Sequence, residues 1–364
     1  MDQAKLRLLL LSVGSLAAQR FIGALGSRRE GCELIGTNSD AESAGNFICD
    51  TAYLAPAAAS GAQYMERLAE IIREERPHIV IPARDDDVLA LALLAELRSD
   101  TETVLLTGSA AAARIMHDKV ETARFAQRHG LPFARTATTV REALDLARAH
   151  PPPLIAKPRT GNGSRGVVLL RSIAEIERAF ALRPDLVAQP YLDPPPDMSA
   201  LIAPHDAGLP FFFSFPETRQ YFLQIVVGPD GAISMPFATL STQIGGQAVR
   251  SERSNDAQLL EIGREYARAA EREGWKGPLN VQLKRTPEGR FIAHELNGRF
   301  SGGTMARALM GFDEPAEVIH RFLPRADFPR IAGADVDVVQ NYLCSFPIPR
   351  AGVEALRASG RWTP

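Results

Sequence analysis

Lysine is scarce in this chain: five lysines stand against 36 arginines in 364 residues, and they are Lys5, Lys119, Lys157, Lys276 and Lys284. Cysteine is scarcer still. Cys32, Cys49 and Cys344 are scattered, odd in number and without metal-ligand spacing. That pattern excludes a disulfide framework and a zinc cluster, and it fits reduced thiols in a cytoplasm. No apolar run approaches the length that crosses a bilayer, which argues against a helical membrane protein. A net charge of −2 gives no electrostatic footprint for nucleic acid or for an anionic membrane. No internal repeat or low-complexity tract is visible. Lys5 and Arg7, followed by Leu8 to Leu11 and by Ser15-Leu16-Ala17-Ala18, imitate a secretion signal. The apolar core is short, however, and Gly14 leads into a helix-like stretch. A buried first strand entering a helix is the better reading.

What is present is ordinary in bulk and particular in detail. An apolar fraction of 45% and a charged fraction of 23% are those of a globular protein, and 364 residues suffice for two or three domains. The first third alternates apolar runs at 6–12, 32–37, 79–82 and 103–107 with helical patterns at 16–28, 62–75 and 86–97. Continuously apolar strands alternating with helices predict a parallel sheet covered on both faces. Gly14 follows the first strand, but no G-x-G-x-x-G does, so no nicotinamide cofactor is assigned.

From Asp118 the pattern changes. Asp118 with Glu121, Thr139 with Glu142 and Ser172 with Glu175 are helix-start signals, and Gly130 closes the first of these helices. The order reads helix, strand, helix, strand, glycine loop, strand, helix, then a strand at 186–189. A strand-rich region follows at 198–240, with turns at Asp206-Ala207-Gly208 and Pro229-Asp230-Gly231. Phe211-Phe212-Phe213 reads as sheet core, because no basic cluster interleaves it as a base-stacking platform needs. A long amphipathic helix is expected at 255–273. A hairpin is expected at 279–285 and 290–297, around Pro287-Glu288-Gly289.

Chemistry concentrates at three places. Residues 154–170 read Leu-Ile-Ala-Lys-Pro-Arg-Thr-Gly-Asn-Gly-Ser-Arg-Gly-Val-Val-Leu-Leu. Pro158 pushes Lys157 into extended geometry at a strand end. Gly161, Gly163 and Gly166 allow backbone N–H groups to turn toward one point, as an anion cradle requires. By itself the stretch also fits a simple hairpin turn. In the later hairpin, Glu295 and Asn297 share a strand face, with Gln282 opposite or diagonal on the same face, while Val281, Leu283 and Leu296 face the core. A few hard oxygen donors of this kind suit Mg²⁺ shared with phosphates, although a solvated polar face has the same pattern. Arg299 follows two residues later. Third, Lys119 opens a helix, where a cation opposes the helix dipole unless a negative partner is near.

Taken in order, these residues resemble the ATP-grasp superfamily: a lysine at a helix start, a lysine before a glycine loop, Gln189-Pro190-Tyr191, Gln282, then Glu295-Leu296-Asn297-Gly298-Arg299. The resemblance is closest to the synthetase halves of the carbamoyl-phosphate synthase large chain and to related carboxylate–amine ligases. It implies an α/β chain in which a Rossmann-like domain (1–112) precedes an ATP-grasp lid with the glycine loop (113–188), a metal and substrate subdomain (189–330) and a C-terminal extension (331–364). It implies ATP with Mg²⁺ or Mn²⁺ as cofactors. Lys119, Lys157 and the loop of Gly161, Gly163, Ser164 and Gly166 would meet the phosphates. Gln189, Pro190 and Tyr191 would read the base, and Asp197 would meet the ribose. Gln282, Glu295 and Asn297 would hold the metal, and Arg299 would neutralise the transferred phosphate. Pro190 and Gly298 depart from the family pattern, where glutamate and proline are usual; the glycine implies a looser approach to Arg299. Arg250 and Arg253 are either substrate-facing or surface partners of Glu252 and Asp256.

The implied reaction is ATP-dependent ligation. A carboxylate is activated as an acyl phosphate and joined to an amine or similar nucleophile, with small molecules as partners and a homodimer as one assembly open to the chain. Two rivals differ in class. One is bicarbonate activation of the carboxylase or carbamoyl-phosphate synthase kind. The other is a nucleotide-binding module without turnover, against which the retained Glu295, Asn297 and both lysines argue.

Overall fold

The computed structural model describes residues 5–97, 102–150, 153–161, 163, 165–195, 197–198, 218–342 and 344–364. Its first sheet is built from β1 (Leu6–Leu10), β2 (Cys32–Asn38), β3 (Thr51–Leu54), β4 (Ile79–Ile81) and β5 (Val104–Leu105), parallel and in the order β3-β2-β1-β4-β5. The strands are continuously apolar because both faces are covered. Leu8 and Leu10 pack with Phe21 and Leu25 of α1 (Leu16–Leu25). Leu9, Ile35 and Val80 face the other way, toward α2 (Ala62–Glu75) and α3 (Asp85–Leu97). Helix α1 stops short of residue 28. Gly26 takes φ +54°, and residues 26–31 tighten into a 3₁₀ turn. Strand β3 has no counterpart among the expected strands. Helix α4 (Ala110–His117) leads out of this layer.

Helix α5 (Lys119–Arg128) begins at its Asp118 cap, whose carboxylate accepts from the Val120 N–H, and Gly130 follows its end at φ +64°. Thr139 caps α6 (Val140–Ala149) and Ser172 caps α7 (Ile173–Leu182), each accepting from the N–H three residues on. The two helices cover a three-stranded antiparallel sheet of β6 (Leu154–Pro158), β7 (Val168–Leu170) and β8 (Leu186–Pro190), ordered β7-β6-β8. The strand expected between α5 and α6 is reduced to two isolated bridges, Phe133 with Ala293 and Ala137 with Ala188.

The largest antiparallel sheet contains β9 (Thr218–Val227), β10 (Phe237–Ile244), β11 (Gln247–Ser254), β12 (Gly277–Arg285), β13 (Phe291–Asn297) and β14 (Val338–Gln340), ordered β13-β12-β9-β10-β11-β14. Helix α8 (Ala257–Arg272) lays Leu259 and Tyr266 on Leu223, Ile225, Leu279 and Val281. The turn at Pro229-Asp230-Gly231 holds Gly231 at φ +82°. The other expected turn, at residues 206–208, and the Phe211–Phe213 run lie outside the described residues. After β13 come α9 (Thr304–Leu309), α10 (Glu314–Phe322) and α11 (Arg350–Ser359). The chain then returns to the first sheet, where β15 (Arg361–Trp362) pairs antiparallel with Tyr53 and Ala52 of β3. Among the described residues, no helix is long and apolar enough to cross a membrane.

Candidate functional site

The β12–β13 hairpin aligns Gln282 with Glu295, Val281 with Leu296 and Asn280 with Asn297. Beyond Gln282 the register slips, and Leu283 pairs with Ala293. His294 is the extra residue of a β-bulge, a device that re-aims side chains. Strict alternation would send Phe291 and Ala293 to the same face as Glu295. The bulge instead leaves both in the core with Leu296. Glu295 is then ringed by amides. Gln282 Nε2 donates to its Oε1 at 3.5 Å and Asn297 Nδ2 at 3.3 Å. Gln220, on β9, donates to Gln282 Oε1 at 2.6 Å and enters the cluster without having been expected there.

Lys157, near the end of β6, reaches this hairpin from the neighbouring sheet. Its buried ammonium donates to the His294 carbonyl at 2.8 Å and lies 4.0 Å from Glu295 Oε2. Burial pulls its pKa down to about 8, against the attraction of Glu295 and with the help of Lys119. Burial would raise the Glu295 carboxyl, yet Lys157, Lys119 and Arg299 hold it below its ordinary value, so it is ionised at neutral pH. Burial and Lys157 push the His294 imidazole down to about 3, so it is neutral. Its Nε2 is buried without a hydrogen-bond partner.

Lys119 stands at the first position of α5 and donates from Nζ to the Gly161 carbonyl at 3.1 Å. Gly161 therefore lies against the lysine-bearing helix start. Gly161, Gly163 and Gly166 take φ of +113°, +66° and +72°, a region that favours glycine; Ser164 lies outside the described residues. Gln189 is buried on β8 and donates to Thr136 Oγ1 at 2.9 Å, and Pro190 pairs with Leu154. Burial and Asp193 push the Tyr191 phenol up to about 12. Asp193 accepts from Lys284 Nζ at 3.0 Å, which ties this crossover to β12. Asp197 sits exposed in a turn.

Arg299 has a partner that the sequence did not suggest. It forms a two-pronged ion pair with Asp85, Nε and Nη2 each 2.9 Å from a carboxylate oxygen, and Nη2 also donates to Asn297 Oδ1 at 3.2 Å. Gly298 packs against Trp275. A Cβ at this residue would fall 2.3 Å from the Trp275 ring, so a side chain there would collide with the indole. Arg250 is not brought to the cluster. It lies on β11, paired with Glu252 and opposite Gln340. At about 4.8 Å per strand, the three strand steps to β12 come to roughly 14 Å. Arg253 pairs with Asp337 at 3.0 Å.

Lys119, Lys157, Gly161, Gln282, Glu295, Asn297 and Arg299 thus form one neighbourhood. Among the described residues no three His, Cys, Asp or Glu side chains cluster as a metal site. A divalent cation here would have one carboxylate and two side-chain amides. That donor set fits Mg²⁺ when phosphate oxygens complete the shell. Asp85, Asp193, Gln220 and His294 were missed. The signal for Asp85 was its place in the Asp85-Asp86-Asp87 run that opens α3, where acids also serve the helix dipole.

No protein-family model matches the chain. A formate-dependent phosphoribosylglycinamide formyltransferase of Synechococcus sp. (strain RCC307) is 29% identical over 175 residues, 48% of this chain and 42% of that protein. The chain thus matches less than half the length of this curated relative. Among solved structures, the biotin carboxylase domain of Hydrogenobacter thermophilus 2-oxoglutarate carboxylase, in complex with MgADP, ADP and bicarbonate, superposes with a TM-score of 0.63 at 16% identity, covering 91% of this chain and 72% of that one. The N5-carboxyaminoimidazole synthetase of Staphylococcus aureus, complexed with ADP, gives a TM-score of 0.58 at 11% identity, covering 82% and 71%. The chain shares with these solved structures the ATP-grasp fold, here behind a Rossmann-like α/β domain.

Proposed function

We propose that the chain is an ATP-dependent ligase that activates a small carboxylate as an acyl phosphate and joins it to an amine. The observation that carries this reading is the meeting of a buried ammonium, Lys157, with an ionised carboxylate, Glu295, 4.0 Å away across two sheets. Phosphate oxygens are the natural third party, because they accept from the lysine and share a cation with the carboxylate. In this reading Lys119, Lys157 and the loop of Gly161, Gly163, Ser164 and Gly166 hold the phosphates. Gln189, Pro190 and Tyr191 read the base, and Asp197 meets the ribose. Gln282, Glu295 and Asn297 hold Mg²⁺ or Mn²⁺, which when bound screens the charge of the triphosphate. Residues 1–112 form the preceding domain, 113–188 the lid, 189–330 the metal and substrate subdomain and 331–364 an extension.

A carboxylate oxygen attacks the γ-phosphorus, the bond to the β-phosphate oxygen breaks, and ADP leaves. The amine then adds to the acyl carbon, loses a proton and expels inorganic phosphate. No protein nucleophile is needed, since positioning and charge neutralisation do the work. Closure of the glycine loop keeps water from the acyl phosphate. The name of the Synechococcus relative couples formate with a glycinamide, which supports a one-carbon acid and an amine as substrates. The bicarbonate in complex with the biotin carboxylase domain supports bicarbonate activation as the second reading. The absence of an apolar spanning helix among the described residues supports a cytoplasmic setting, and the dimeric biotin carboxylase domain supports a homodimer.

The test is a coupled ADP-release screen of formate, bicarbonate, amino acids and other small carboxylates, each with and without amines, using Lys157→Ala as the blank. Release that needs both a carboxylate and an amine upholds ligation. Dependence on bicarbonate alone selects the second reading. Tight MgADP binding with no release under any pairing overturns both. Glu295→Ala is expected to abolish release while the far-UV circular dichroism spectrum stays that of the parent; parental rates in this variant would refute the cation assignment.

A further inference from the structure

The first turn of α3 carries three consecutive acids, and each holds a different part of the molecule. Asp87, fully buried, accepts from Ser12 Oγ at 3.0 Å and Tyr64 Oη at 2.9 Å, which fixes the turn within its own domain. Asp86 meets His117 Nε2 at 2.8 Å, two residues before Lys119. Asp85 takes Arg299 from 214 positions further along the chain, at 2.9 Å on both prongs. Both members of that pair are withdrawn from solvent, with side chains 6% and 12% exposed. The guanidinium is nearly saturated. Nε–H and one Nη2–H go to Asp85, the other Nη2–H goes to Asn297 Oδ1, and one Nη1–H goes to the Phe300 carbonyl. The second N–H of Nη1 has no partner among the described residues.

We propose that Asp85 is a positioning residue: it locks the plane of the Arg299 guanidinium beside Asn297 so that the remaining Nη1 N–H is held toward the phosphoryl group in transfer. The inference rests on the phosphate reading of the Lys157–Glu295 neighbourhood. Arginine on a flexible stem gains direction only from a fork that fixes both its plane and its rotation. A carboxylate anchored in the preceding domain supplies that fork, so this domain contributes to the phosphate chemistry itself. A hydrogen-bond donor preorganised in this way acts on charge developed in the transition state more than on the bound ground state.

The probe is MgADP titrated by calorimetry with and without orthovanadate, an analogue of the phosphoryl group in flight. In the parent, orthovanadate is expected to tighten MgADP binding about tenfold or more. Asp85→Asn should leave binding of MgADP alone unchanged and lose most of the tightening. Arg299→Gln should behave alike, and the double variant should be no worse than either single one, because the two side chains act as one unit. Arg299→Lys, which keeps Asp85 and the charge but removes the fork, should also lose the tightening; this variant decides the matter if Asp85→Asn fails to fold. Retained tightening in Asp85→Asn or in Arg299→Lys, or additive losses in the double variant, would overturn the proposal. So would a parent that binds MgADP but ignores orthovanadate. A parent that binds no MgADP overturns the phosphate reading instead.

Discussion

Lys157 carries its charge in surroundings that resist it. Its folded pKa of about 8 lies below the ordinary 10.5, so the unliganded fold pays for the buried ammonium below pH 8 and is relieved as the pH rises toward 10.5. A phosphate bound as proposed would reverse that preference by stabilising the charged form. MgADP affinity is therefore expected to be full below pH 8 and to fall as the pH rises beyond it, with Lys157→Met weaker throughout and flat across the same range. Calorimetric titrations on either side of pH 8 check this; a parental affinity that rises with pH would contradict it. The cysteines give a second residue-scale test. Burial raises Cys32 and pushes Cys49 up to about 12, while Cys344 is exposed. One of the three thiols should react rapidly with a disulfide reagent in the native state, and all three after denaturation. The two lysines were legible because lysine is rare here and one of them precedes a glycine loop. Asp85 and Asp193 were not, because their partners lie 214 and 91 positions away, and no local pattern announces such pairs.

At the scale of elements, local chemistry was read well where it is local. The Asp118, Thr139 and Ser172 caps all form, and Gln282 stands opposite Glu295, one of the two placements, opposite or diagonal, that the hairpin left open. Alternation could not disclose the bulge at His294, since a single inserted residue leaves the apolar pattern on either side intact. It matters all the same, because the carbonyl of the inserted residue receives Lys157. The close packing beside Gly298 was hidden for a related reason. What fills the space beside it is Trp275, brought there by the start of β12 rather than by anything adjacent to Gly298. Gly298→Ala is expected to cost about 1–3 kcal/mol by overpacking against that ring, measured by chemical denaturation. Arg307 pairs with Glu314 in full burial, and its Nη2 also donates to Ser301, Thr304 and Gln224. Arg307→Ala, which strands the Glu314 charge, should cost about 3–5 kcal/mol in the same measurement.

The whole molecule is held together by pairs and strands that join its ends. Arg28, just past α1, makes a buried ion pair with Asp313, the cap of α10, at 2.7 Å. The C-terminal stretch pairs with the large sheet through β14 and with the first sheet through β15. Leu356 and Val353 of α11 pack on Ala41 and Ala52, with Phe47 and Trp362 at the margin. Leu356→Ala is expected to cost about 2–5 kcal/mol, read as a lowered denaturation midpoint. None of this return was legible, because a two-residue strand such as β15 has no pattern of its own and β3 lies more than 300 residues earlier. The alternation of strands and helices, together with the spaced lysines, the glycine loop and the polar hairpin face, did disclose an ATP-grasp fold behind a Rossmann-like domain.

The most direct measurement is a crystal structure of the protein with MgADP. A single nucleotide is expected with its phosphates within hydrogen-bond reach of the Lys119 and Lys157 ammonium groups, and with a divalent cation between those phosphates and Glu295. A nucleotide seated elsewhere, or phosphates that touch neither lysine, would contradict the account.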